Sequence, residues 1–141
     1  DYMNNIELLD ALENETNASI MKLTNNKIKD IKNNILQKLQ LPREKLKEFH
    51  KKLKYYRYCS DMNDLQDGFF IRWISLKDPE NIKLTNGSHV CDILFENNML
   101  QVLCRGINGR IFKIRFDECI IFQKLSDQER VILSVLDYLD K

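Results

Sequence analysis

Side chains able to bind a metal, relay a proton or act as a nucleophile are sparse in this chain of 141 residues: two histidines, His50 and His89, and four cysteines, Cys59, Cys91, Cys104 and Cys119. Alternate residues of a strand share a face, so His89 and Cys91, joined by Cys104 and Cys119 from neighbouring strands, would make a zinc-type ligand set. Against this, no CxxC pair is present. Three of the cysteines sit in apolar, strand-like runs that suit reduced core thiols. Asp61, Asp64 and Asp67 repeat every third residue ahead of Gly68. They lack the alternating acids and the twelfth-position glutamate of a calcium loop, so a solvated linker is the simpler reading. There is no glycine-rich phosphate loop, no HExxH, and no serine, histidine and aspartate around a nucleophile elbow. The expectation is a protein without catalytic residues, metal or cofactor.

Binding chemistry is better represented. Lysine and arginine on one helix face neutralise nucleic-acid phosphates and release counterions. Arg43, Lys47, Lys51, Lys52, Lys54 and Arg57 crowd into one segment, and Tyr55 beside them offers a ring for an unpaired base. These residues form a candidate nucleic-acid surface. The same pattern suits a merely solvated helix, because Glu44 and Glu48 are interleaved. The residue usage, with 15 Lys, 15 Ile and 14 Asn against 2 Ala, is also that of an AT-rich genome, in which lysine is common for reasons unrelated to function. A second candidate set is apolar. Phe69 and Trp73 fall on one side of a strand, and Leu136 and Leu139 on one helix, as anchors for a protein partner. A core tryptophan is the competing reading of Trp73.

The elements that would position these groups can be outlined from periodicity. The net charge of +1 hides a segregation, with −5 over residues 1–21, +9 over 22–58 and −3 over 59–141. Ile6, Leu9 and Leu12 predict a short first helix, and Ile20, Leu23, Ile28, Ile31, Ile35 and Leu39 a second. After Pro42, the stripe Leu46, Phe49, Leu53 and Tyr56 predicts a third, basic on its open face. From Gly68 the period becomes two, predicting strands at 69–75, 89–96, 99–105, 110–116 and 119–123. A two-residue Asn97-Asn98 turn links the second and third, and Gly106 to Gly109 the third and fourth. Ser126 and Glu129 form a capping box ahead of a C-terminal helix with a broad stripe of Val131, Ile132, Val135, Leu136 and Leu139. The fold class expected is α+β, in two parts. Residues 1–58 form a lysine-rich helical segment, and 59–141 a five-stranded antiparallel SH3-like or Tudor-like small barrel with its C-terminal helix. An OB-type barrel or an open curved sheet would fit the same element order.

The runs Gly68-Phe69-Phe70-Ile71-Arg72-Trp73-Ile74, Lys83-Leu84-Thr85-Asn86-Gly87 and Ile121-Phe122-Gln123-Lys124-Leu125 are similar to a group of uncharacterised proteins of nucleocytoplasmic large DNA viruses. The similarity covers roughly residues 55–141. It implies a virus-encoded protein working in the host cytoplasm or packaged in the virion, and it brings no active site with it. No apolar run approaches the roughly 20 residues that span a bilayer, and no signal pattern opens the chain, so an intracellular protein without membrane contact is expected. The function expected is a non-catalytic interaction or assembly module, docking on protein partners or on itself through the barrel and the amphipathic helices. The alternative is a DNA- or RNA-binding protein that uses residues 22–58. No small-molecule substrate is expected.

Overall fold

The computed structural model describes residues 20–140, so the expected helix around Ile6, Leu9 and Leu12 lies outside them. Among the described residues, three α-helices and six strands follow one another as α1 (Asn25–Gln37), α2 (Arg43–Lys52), β1 (Tyr56–Cys59), β2 (Phe70–Ser75), β3 (Ser88–Glu96), β4 (Met99–Arg105), β5 (Ile111–Arg115), β6 (Cys119–Lys124) and α3 (Asp127–Leu139). The described residues divide into two compact units, one of residues 20–46 together with 125–140, the other of residues 47–124.

In the first unit, Thr24 caps α1 by accepting from Lys27 N at 3.1 Å. The buried stripe of α1 is Ile28, Lys32 and Leu36, at four-residue spacing. Ile31, which the periodicity assigns to the apolar side, is exposed instead, and the lysine stands inside. Burial, with Lys29 adding, pulls the Lys32 ammonium below its usual pKa. Helix α3 opens with the expected capping box: Glu129 N donates to Ser126 Oγ at 3.0 Å, and Ser126 N to Glu129 Oε1 at 2.9 Å. Its Ile132 and Leu133 share a core with Ile20, Ile28 and Leu125. Asn25 reinforces the pairing, since its backbone and side-chain nitrogens donate to the Asp137 carboxylate at 2.9 and 2.7 Å. The C-terminal helix therefore belongs with the helical unit rather than with the sheet.

The second unit is one antiparallel sheet in the order β1-β6-β2-β3-β4-β5. It has six strands and is open, with β1 and β5 at its edges, where a closed five-stranded barrel was expected. The additional strand is β1, which pairs with β6 from Tyr56↔Lys124 to Cys59↔Ile121. Helical spacing from Phe49 through Leu53 to Tyr56 suggested one continuous helix there. The helix instead stops at Lys52, because Tyr56 finds a hydrogen-bonding partner strand far along the sequence. The two-residue turn is present as expected, Asn97 and Asn98 taking φ of 54° and 62°. One face of the sheet carries the core: Cys59, Leu65, Ile71, Trp73, Val90, Val102, Cys104 and Ile121. The sheet curls over this face, for Trp73 of β2 meets Phe112 of β5 with ring centroids 5.9 Å apart although two strands intervene. A register shift between Val90 and Asp92 supplies local bending in β3.

Candidate functional site

The curled face leaves a groove at one end of the sheet. One wall is the 3-10 turn Met62–Asp64 with Leu65, the other the β3–β4 hairpin through Ile93, Leu94, Phe95 and Leu100. The space between them is about 500 Å³, and Asn63 is the one polar residue among its lining residues. Phe95 is 68% exposed, so the groove presents an aromatic rim as well as an apolar floor.

The turn wall is held from below by buried polar groups. Asp61 and Asp64 cap it, Asn63 N donating to Asp61 Oδ1 at 2.9 Å and Asp61 N to Asp64 Oδ2 at 3.3 Å. The three-residue spacing of these aspartates thus has a structural cause. Arg57, 3% exposed, donates from Nη2 to the Asp64 carbonyl at 3.0 Å, and its Nη1 lies 3.8 Å from the Asp64 carboxylate. Gln123, wholly buried, donates from Nε2 to the same carbonyl at 3.2 Å and accepts from Gln66 N at 2.9 Å. Arg57 and Gln123 are register partners on β1 and β6, so the strand that was not expected is the one that positions the wall.

The candidate residues read from the sequence are distributed unevenly. Arg43, Lys47, Lys51, Lys52, Lys54 and Tyr55 are all exposed on α2 and the turn after it. Lys52 pairs with Glu48 at 2.6 Å, and the Lys54 ammonium lies 5.4 Å from the Tyr55 ring centroid. Arg57 leaves this surface, because alternation along β1 turns it into the sheet. Trp73 is likewise core, as its contact with Phe112 requires, and is not an exposed anchor. Phe69 is half-buried; Leu136 packs on the core of the helical unit, while Leu139 and its neighbour Tyr138 are exposed.

The groups considered for chemistry are not gathered. Among the described residues no three of His, Cys, Asp and Glu converge as metal ligands would. His89 is exposed and sits edge-on to Phe70 at 5.1 Å, and His50 is half-buried in α2. Burial pushes the Cys104 thiol above its usual pKa and the Cys119 thiol up to about 11, with Glu118 adding to the latter. Such thiols are poor nucleophiles at neutral pH. The arrangement suits recognition of an apolar side chain by shape, with Asn63 as a single polar contact. Sequence reasoning missed the groove because its two walls, Met62 to Leu65 and Ile93 to Leu100, are far apart in the chain and each alone reads as an ordinary turn or hairpin. The one local signal was Phe95 beside an Asn-Asn turn, a large aromatic where solvent exposure is the norm.

Comparison of the chain with protein-family models, curated proteins and solved structures returns no match.

Proposed function

We propose that this chain is a virus-encoded, non-catalytic interaction and assembly module whose sheet unit docks a protein partner in the groove between the Met62–Asp64 turn and the β3–β4 hairpin. The observation that carries the reading is the groove itself: an apolar recess of about 500 Å³ with Met62 and Phe95 at solvent. A recess of this size accepts one or two large apolar side chains of a partner segment. The run β6-β2-β3-β4-β5, curled until Trp73 meets Phe112, supports kinship with SH3-like small barrels, and the viral reading rests on the resemblance of residues 55–141. Exposed Tyr138 and Leu139 extend the apolar surface available to partners on the helical unit. The test is a displayed peptide library selected against the full chain, with Phe95→Asp and Met62→Asp as counter-selections. Peptides that lose at least tenfold in affinity on either substitution are the expected result. A library yielding no ligand sensitive to either position removes the groove from the proposal.

A second reading, contact with DNA or RNA, is favoured by the exposure of Arg43, Lys47, Lys51, Lys52 and Lys54. It expects binding that weakens steeply with salt and falls when Lys47, Lys51 and Lys54 are neutralised together. Absence of binding to single-stranded and duplex probes at low salt rejects it.

A further inference from the structure

A different surface of the sheet unit shows its own pattern at the β4–β5 hairpin. Ile107 is 91% exposed and Ile111 60% exposed. Scattered exposed isoleucines need no explanation. Here, however, the backbone is built to display one of them. Gly109 N donates to Gly106 O at 3.0 Å, Gly106 N to Arg110 O at 2.9 Å, and Arg110 N to Asn108 Oδ1 at 3.0 Å. With Gly109 at φ +79°, this is the three-residue hairpin loop made of a tight turn and a left-handed residue. Gly109 and Asn108 do the conformational work, and Ile107 contributes nothing to closing the turn.

The charges around it are also distinctive. Arg105 stands opposite Ile111 in the β4–β5 register, and Arg110 adjoins the turn. Both are exposed and neither has an ion-pair partner among the described residues. On the same strand Lys113 pairs with Glu96, and Arg115 with Asp117 and Glu118. On this hairpin, the basic side chains without an ion pair are thus the two that flank the apolar tip.

We propose that this tip is a membrane-surface contact: Ile107 enters the boundary between headgroups and acyl chains of an anionic bilayer while Arg105 and Arg110 engage its phosphate and carboxylate groups. An anionic bilayer offers negative charge and, immediately beneath it, an apolar phase, which are the two things the tip presents complements for. A nucleic-acid duplex offers the charge, but its apolar surface is stacked away. No spanning helix is needed for such a contact, so the lack of a long apolar run does not argue against it. One isoleucine and two arginines give binding weaker than that of a single acyl chain, and the arginine contribution makes it salt-sensitive.

The experiment is sedimentation of the full chain with vesicles of phosphatidylcholine alone and of phosphatidylcholine with about one-third phosphatidylserine, at low and moderate salt. Binding to the serine-containing vesicles alone, reduced by salt, is expected. Ile107→Ser lowers the partition coefficient by about tenfold or more. Arg105→Gln with Arg110→Gln lowers it by about fivefold per arginine. Ile107→Trp raises it, because tryptophan favours the interface. These side chains are solvent-facing, and unchanged thermal melts certify the fold of each variant. No binding to anionic vesicles at low salt overturns the proposal. So does binding that is indifferent to Ile107, or tip substitutions that abolish binding to a duplex probe while leaving vesicle binding intact.

Discussion

Replacing Gln123 by leucine probes how the groove wall is held. The side chain is wholly buried on β6 and makes two hydrogen bonds, accepting from Gln66 N at 2.9 Å and donating to the Asp64 carbonyl at 3.2 Å. Leucine is close in volume, so packing is nearly conserved and the polar loss dominates. The two bonds are not equivalent. The Asp64 carbonyl keeps its bond from Arg57 Nη2 at 3.0 Å, whereas the bond from Gln66 N to Gln123 Oε1 is lost. Removing one partner of a buried hydrogen bond costs about 1–3 kcal/mol, partly offset by no longer burying an amide, so a net loss of about 1–2 kcal/mol is expected. Arg57→Met removes the other bond to the same carbonyl. The double variant then strips that acceptor of both side-chain donors and loses more than the sum of the singles by about 0.5 kcal/mol or more. Urea unfolding measures the global effect, and amide hydrogen exchange at Leu65 and Gln66 the local one. In Gln123→Leu, exchange there accelerates more than at Val102 in the core strand β4. A variant within about 0.3 kcal/mol of the parent, with unchanged exchange at Gln66, would refute the claim that this network holds the wall.

Other substitutions test other parts of the argument. Gly87 takes φ +101°, and an added Cβ would fall 2.5 Å from the Ile71 carbonyl and the Phe70 ring, so Gly87→Ala is expected to cost about 2 kcal/mol or more in urea unfolding. Gln40 holds φ 52° just after α1, a conformation that glycine adopts freely, and Gln40→Gly is expected to raise stability by up to about 1 kcal/mol. Cys119 stays protonated in the folded chain up to about pH 11, while the unfolded thiol ionises near its ordinary value of 9.0. The unfolded state therefore binds fewer protons in that window, and stability falls as pH rises from about 9 to 11. Urea midpoints across that range fall less steeply for Cys119→Ala. A slope unaltered by the substitution would remove Cys119 as the cause. Ser126→Ala breaks the capping box of α3 and is expected to cost about 1 kcal/mol, readable in the same assay.

How much of this was legible in the chain itself depends on the range of the interaction involved. Period-two runs located the strands from 70 to 124 within a residue or two, since alternation records only which face of a strand is buried. The Asn97-Asn98 turn and the Ser126/Glu129 cap were readable because their chemistry is contained in two to four consecutive residues. The α+β class and the antiparallel pairing through tight turns followed from those local facts. What local patterning did not contain was β1. Its first residue, Tyr56, continues a helical stripe, and only hydrogen bonding to β6, more than 60 residues away, makes Tyr56–Cys59 a strand. That one pairing decides several later outcomes: it adds a sixth strand, turns Arg57 from the surface inward, and sets it opposite Gln123 to hold the groove wall. Tertiary packing also placed Lys32 inside α1 and Ile31 outside, because residues at equal spacing along a helix are ranked by what they face and not by their type alone. The groove and the exposed arginine-flanked tip belong to the same class of fact, since both depend on which side chains the fold leaves without neighbours.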